Sequence, residues 1–242
     1  MVQPTDTQSL ILWVGTLGMA LGTVAFIAMG WGEKDREMQE FYIITTFITA
    51  IAFSSYFSMA TGFGLIEVEV AEQTLDIYWA RYADWLFTTP LLLLDIALLA
   101  GADRNTIATL IGLDAAMIIT GLAGALATAG AAERIAWWGI STAFFVVLLY
   151  FLVSALGSQA AQQSSEVAST FSTLRNLIIV LWTAYPIVWI IGTESTLGII
   201  GLTTETALFA VLDLAAKVGF GFILLKSRNV LEQATGSAQA AD

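Results

Sequence analysis

The chain has 242 residues, of which 57% are hydrophobic and 12% charged, a composition typical of membrane proteins and unusual for water-soluble domains. It holds no cysteine and no histidine, which excludes disulfides, thiolate nucleophiles and Cys- or His-built metal centres and leaves proton chemistry to carboxylates, Lys, Tyr, Arg and water. A net charge of -11, carried mainly by EKDREMQE (33–40) and EVEVAEQTLD (67–76), argues against nucleic acid as a partner.

In chain order, apolar runs close to the roughly 20 residues needed to cross a bilayer cover 10–31, 41–62, 78–100, 106–128, 135–156, 174–192 and 205–225. They predict an all-α membrane protein, a seven-helix bundle forming one domain over 1–230. The separators are polar or glycine-rich: GEKDREMQ, GLIEVEVAEQTLD, GADRN, AGAAER, SQAAQQSSEV and GTESTLGIIGLTT. The first run lacks a basic leader and an obvious cleavage site, so it is read as a helix and not as a signal peptide. The small, polar tail, residues 231–242 ending in EQATGSAQAAD, is expected to be disordered and cytoplasmic.

Orientation follows from the nine basic residues, because Lys and Arg concentrate in cytoplasmic loops. Lys34, Arg36, Arg104, Arg175, Lys226 and Arg228 fall on one side and Arg134 on the other, with Arg81 and Lys217 inside the spans. The N-terminus is therefore expected outside and the C-terminus inside.

Four aspartates also lie within the spans: Asp84 and Asp95 on the third, Asp114 on the fourth and Asp213 on the seventh. Asp95 follows Asp84 by eleven residues, which at about 100° per residue returns it to the same helix face about 16 Å further on. Arg81, Asp84, Thr88 and Asp95 thus form one polar stripe. Structural ion pairs are one explanation for such a stripe; intramembrane acids more often mark ion or proton pathways, and two stations on one face have the layout of a relay.

Lys217 stands four residues after Asp213 on the same face, surrounded by apolar residues in LDLAAKVGFGFILL. It fits a simple pair with Asp213, and equally a desolvated amine that attacks carbonyls to form a Schiff base. Trp85, Trp138, Trp182, Tyr185 and Trp189 fall near the middle of their spans, away from the interfacial belts. Trp182, Tyr185 and Trp189 repeat at i, i+3 and i+7, as a packing stripe or a cofactor slot would, and Pro90 and Pro186 are placed to bend helices beside it.

The stretches IYWARYADWLFTTPLLLLDIALLAGADRNTI, WWGISTAFF, RNLIIVLWTAYPIVWIIGTE and LDLAAKVGFGFILL resemble the haloarchaeal proton-pumping microbial rhodopsins of the bacteriorhodopsin type, and the likeness covers essentially the whole chain. The resemblance implies a light-driven outward proton pump in the archaeal plasma membrane, surrounded by lipid and assembled as a homo-oligomer, a trimer. It also implies all-trans retinal on Lys217 as a protonated Schiff base. Asp84 would be counter-ion and proton acceptor, Asp95 the cytoplasmic donor, Asp213 the second counter-ion and Arg81 a mobile cation that turns toward Glu194 and Glu205, the proton-releasing pair. Thr45 would bond Asp95, and Tyr56 and Tyr185 would bond Asp213.

The implied pocket comprises Trp85, Thr89, Leu92, Asp114, Met117, Gly121, Trp138, Ser141, Trp182, Tyr185, Pro186 and Trp189. Asp114, bonded to Thr89, and Asp95, flanked by Leu94 and Ile96, are expected to be neutral in the dark, since an unpaired buried charge is costly. Among departures from the family pattern, Thr49 replaces a mid-helix proline, which implies a straighter second helix. A photosensory rhodopsin signalling through a membrane partner is the rival reading; sensory relatives generally lack a carboxylate at the position of Asp95. Chloride pumps replace the acid at Asp84 with a hydroxyl residue, and no soluble catalytic domain is read here, so no enzyme activity is expected.

Overall fold

A computed structural model describes residues 2–239. Its helices are α1 (Asp6–Gly30), α2 (Arg36–Ala60), α3 (Trp79–Leu99), α4 (Arg104–Leu126), α5 (Ala131–Val153), α6 (Ala155–Ala160), α7 (Ser165–Ile191), α8 (Leu202–Asp213), α9 (Phe220–Lys226) and α10 (Arg228–Gln239). A wide π-helical turn, Leu214–Gly219, joins α8 to α9, so that these three segments make one continuous span. Among the described residues, seven helical stretches are long and apolar enough to cross a membrane.

The bundle is inverted relative to a soluble one. Along α1, Leu10, Val14, Leu17, Leu21 and Val24 form a stripe at helical spacing that is 57–65% exposed, while Leu12, Thr16, Met19 and Phe26 on the opposite face are buried. Lipid is as apolar as leucine, so the outward face takes aliphatic side chains and polar groups turn inward. Successive spans pack side by side, and α1 closes the ring against α8, the π turn and α9.

Four helix starts, those of α1, α2, α4 and α7, precede the apolar runs because caps, and not hydropathy, set them. Thr5 and Gln8 make a reciprocal capping box, Asp35 accepts from the backbone N–H of Glu37 and Met38, Asp103 from Asn105 and Thr106, and Ser164 from Val167. The sixth span consequently begins at Ser165 where hydropathy placed it at 174, and the separator before it is helical at both ends, its first three residues in the short helix α6 and its last three in α7.

Two further segments differ from the sequence reading. The acidic separator after α2 is an antiparallel hairpin, β1 (Ile66–Val70) with β2 (Gln73–Ile77), pairing Ile66 with Ile77 and Val70 with Gln73. Val68 and Val70 turn inward and Glu67 and Glu69 outward, the period-two alternation of a half-buried strand. Ala71 at the turn adopts φ 53° and donates its N–H to the Thr128 carbonyl, tying the hairpin to the α4–α5 connection. The expected disordered tail is, through Gln239, the helix α10; residues 240–242 lie outside the described ones. Fully buried Leu231 anchors it, with Ser164 donating to Gln233 (2.7 Å), Gln233 to Glu166 (2.7 Å) and Arg228 paired to Glu33 (2.7 Å).

Candidate functional site

Midway through the bundle an acid of α3 and the last residue of α8 meet the cation of the π turn. Lys217 Nζ donates to Asp84 Oδ2 at 2.7 Å and to Asp213 Oδ1 at 2.9 Å, with all three side chains at most 1% exposed. Asp213 is further held by Tyr56 (2.7 Å), Tyr185 (2.8 Å) and Trp85 Nε1 (3.2 Å), whereas Asp84 Oδ1 has no donor. Asp213 is thus the fixed anion and Asp84 the less satisfied one, which leaves Asp84 free to accept a proton at that oxygen. The Thr88 hydroxyl is turned to the Asp84 backbone carbonyl at 2.9 Å.

Toward one end of α3, Asp95 is completely buried and accepts from Thr45 at 2.8 Å, its other oxygen unpartnered. Leu92, Leu93, Ile96, Phe220 and Leu224 belong to the apolar cluster that fills this part of the bundle. Thr89 Oγ1 lies 2.6 Å from Asp114 Oδ2 and 2.7 Å from the Trp85 carbonyl. A hydroxyl has one hydrogen, so both contacts are satisfied together when Asp114 supplies the second as a protonated carboxyl.

Toward the hairpin end, Arg81 is 2% exposed and points away from Lys217, its Nη1 at 3.4 Å from Glu205 Oε1 and 3.7 Å from Glu194 Oε1, with the guanidinium 4.4 Å from the Phe209 ring centre. The cation that the resemblance has turning toward these two glutamates is already beside them. Glu205 Oε2 accepts from the Thr193 backbone N–H and hydroxyl, both at 2.7 Å. Glu194 lies in the α7–α8 connection; burial, then the Glu205 carboxylate, push its carboxyl up to about 8 against the pull of Arg81. Arg134, counted as a loop charge from sequence, is fully buried in the first turn of α5, where it donates to the backbone carbonyls of Glu194 and, at 2.7 Å, Ala127.

A cavity opens beside Lys217. Trp85, Thr89, Leu92, Met117, Gly121, Trp138, Ser141, Trp182, Tyr185, Pro186, Trp189 and Lys217 line it, whereas Asp114 stands behind Thr89. Tyr82, Ile118, Thr142, Phe145, Ala216 and Asp213 complete the wall. Of these, Tyr82 shares a helix face with Trp85 and Thr89, and Thr142 and Phe145 continue the face of Trp138 and Ser141, a spacing visible in the sequence but overshadowed by the tryptophans. Trp138 donates to the Pro186 carbonyl at 3.0 Å and Ser141 to that of Met117 at 2.8 Å, which locks the wall opposite Lys217. An apolar, aromatic-walled slot beside a buried amine suits an elongated apolar chromophore.

Seven membrane-crossing helices around a slot that ends on a buried lysine and two aspartates define the microbial rhodopsin class. Residues 6–231 match the family model described as bacteriorhodopsin-like protein, and the chain belongs to that family. It is 61% identical to bacteriorhodopsin of Haloterrigena sp. (strain arg-4), over 96% of this chain and 93% of that protein. Cruxrhodopsin-3 of Haloarcula vallismortis is 56% identical, over 97% and 96%. Among solved structures, the thermophilic rhodopsin from Rubrobacter xylanophilus superimposes with a TM-score of 0.87 at 48% identity, covering 94% of this chain and 98% of that one. A light-driven proton pump from Leptosphaeria maculans gives 0.88 at 33% identity, over 96% and 98%. The chain is a multi-pass membrane protein.

Proposed function

We propose that the protein is a light-driven proton pump that carries protons outward, with the N-terminus and the β-hairpin outside and α10 in the cytoplasm. The observation that carries this reading is the line of buried acids, Asp95, Asp84 and the pair Glu194 and Glu205, on either side of one amine. A signalling protein has no need of Asp95, whose burial with a single hydroxyl partner is a cost that a donor role explains.

Retinal held through Lys217 Nζ supplies light absorption and an isomerisation that changes the proton affinity and the accessible side of that nitrogen. The chain's residues do the rest. Asp84 takes the proton from Nζ across 2.7 Å, while Asp213, already holding two tyrosine hydroxyls and an indole N–H, stays charged and keeps the site electrostatically polarised. Arg81, lying between Asp84 and the outer acids along α3, transmits the loss of charge at Asp84 to Glu194 and Glu205, from which a proton leaves. Asp95 then returns a proton to Nζ from the other side, the apolar cluster around it having prevented leakage until that moment. Trp182, Trp85 and Trp189 line the slot and would confine a bound polyene, so that a change of its shape would be felt at the nitrogen.

Illumination of vesicles containing the retinal-loaded protein, with the α10 end inside, is expected to acidify the outer medium, and a protonophore abolishes the signal. A coloured protein that moves no protons would establish the photosensory reading instead.

A further inference from the structure

We propose that Phe209 is a positioning residue whose ring face rests the Arg81 guanidinium on the hairpin side of the bundle and walls it off from Lys217, Asp84 and Asp213. This rests on the reading of Lys217 as the amine that carries the chromophore.

Along the seventh span, Glu205, Phe209, Asp213 and Lys217 follow one another at four-residue steps on one helix face. Three of them are ionisable, and the remaining one is a phenyl ring only 1% exposed. Two charged clusters flank it: Lys217 with Asp84 and Asp213, and Arg81 with Glu194 and Glu205. The Arg81 guanidinium carbon is 4.4 Å from the centre of the Phe209 ring, against 5.4 Å from that of Tyr78. On its other contacts the ring meets Trp85 edge-on at 5.3 Å and Tyr185 at a tilt at 5.7 Å, the two side chains that donate to Asp213 Oδ1. Phe209 therefore packs on the cation of one cluster and on the donors of the other.

Electrostatics give such a wall its use. Asp84 and Asp213 share one amine, so their cluster holds an excess negative charge that draws Arg81 toward it through a low-dielectric interior. A π face attracts a guanidinium most where water is excluded, and does so without a hydrogen bond that would have to break when the cation moves. The ring thus holds Arg81 facing the glutamates and leaves it free to respond. An aliphatic side chain would fill part of the space and present no negative face.

The test places Leu at position 209 of the retinal-loaded protein and, separately, a series of phenylalanines with one, two and three ring fluorines, which keep the ring's shape while draining its negative face. The visible band of the dark pigment is the readout, because a cation moved toward Asp84 and Asp213 offsets their charge at the chromophore and shifts absorption to the red. Phe209→Leu is expected to lower the preference of Arg81 for its outward position by roughly tenfold and to give the largest red shift, with the fluorinated series shifting in step with fluorine count. In an Arg81→Gln background the same replacements should leave the band in place. Should Phe209→Leu fail to fold, the fluorinated series decides alone. A band unmoved by three fluorines, or a shift that survives Arg81→Gln, overturns the proposal. A parent that stays colourless with retinal overturns the reading of Lys217, and this inference with it.

Discussion

Lys217 Nζ lies 2.7 Å from Asp84 Oδ2, although the two residues are 133 positions apart in the chain. Replacing Asp84 by Asn keeps the volume and removes the acceptor charge, leaving Asp213 as the remaining anion on the amine. The pigment is expected to absorb further to the red and outward transport to stop, which absorption spectra and the vesicle assay read together.

The same amine predicts the behaviour of Lys217→Ala. Two buried carboxylates lose their common cation, and breaking a buried pair costs about 3–5 kcal/mol. The protein without retinal should unfold at a lower temperature than its parent, and no visible band should form on adding retinal.

Asp95 and Thr45 predict a kinetic effect confined to the late half of the cycle. Asp95→Asn is expected to slow return of the proton to Lys217 Nζ severely, with azide, a small diffusible proton carrier, restoring the rate. Thr45→Val removes the single hydrogen bond to Asp95 and should change that rate by about tenfold, the equivalent of about 1.4 kcal/mol. Flash photolysis showing both variants unaltered late in the cycle would reject the donor assignment.

Glu194 predicts a pH limit. With its carboxyl pushed up to about 8 by burial and by Glu205, it holds a proton in the dark below that pH and has lost it above. Prompt release into the outer medium is therefore expected at neutral pH and should disappear as the outside pH rises through about 8. Titration of the early indicator signal checks it.

How much of this was legible beforehand differs from element to element. Seven spans, the acid stripe of α3 and the neighbouring Asp213 and Lys217 follow from hydropathy and from 3.6-residue periodicity, both of which are local properties. The hairpin was legible too, in the alternation of IEVEV, but its glutamates drew the reading toward a loop. The α10 helix was not, because small polar residues carry little helical signal, and burial of Leu231 against other spans stabilises it.

The site divides in the same way. Residue types and their spacing along one helix determined by themselves that the protein crosses a membrane, that it holds acids there, and which amine could form a Schiff base, while the chromophore is what the family resemblance implies. Tertiary structure decided that Asp84 and Asp213 share Lys217, that Arg81 faces Glu194 and Glu205, that Arg134 is interior, and that Thr193 bonds Glu205. These are pairings between segments far apart in the chain, and hydrogen-bond strength depends on tenths of an ångström and on direction, quantities that no linear pattern encodes.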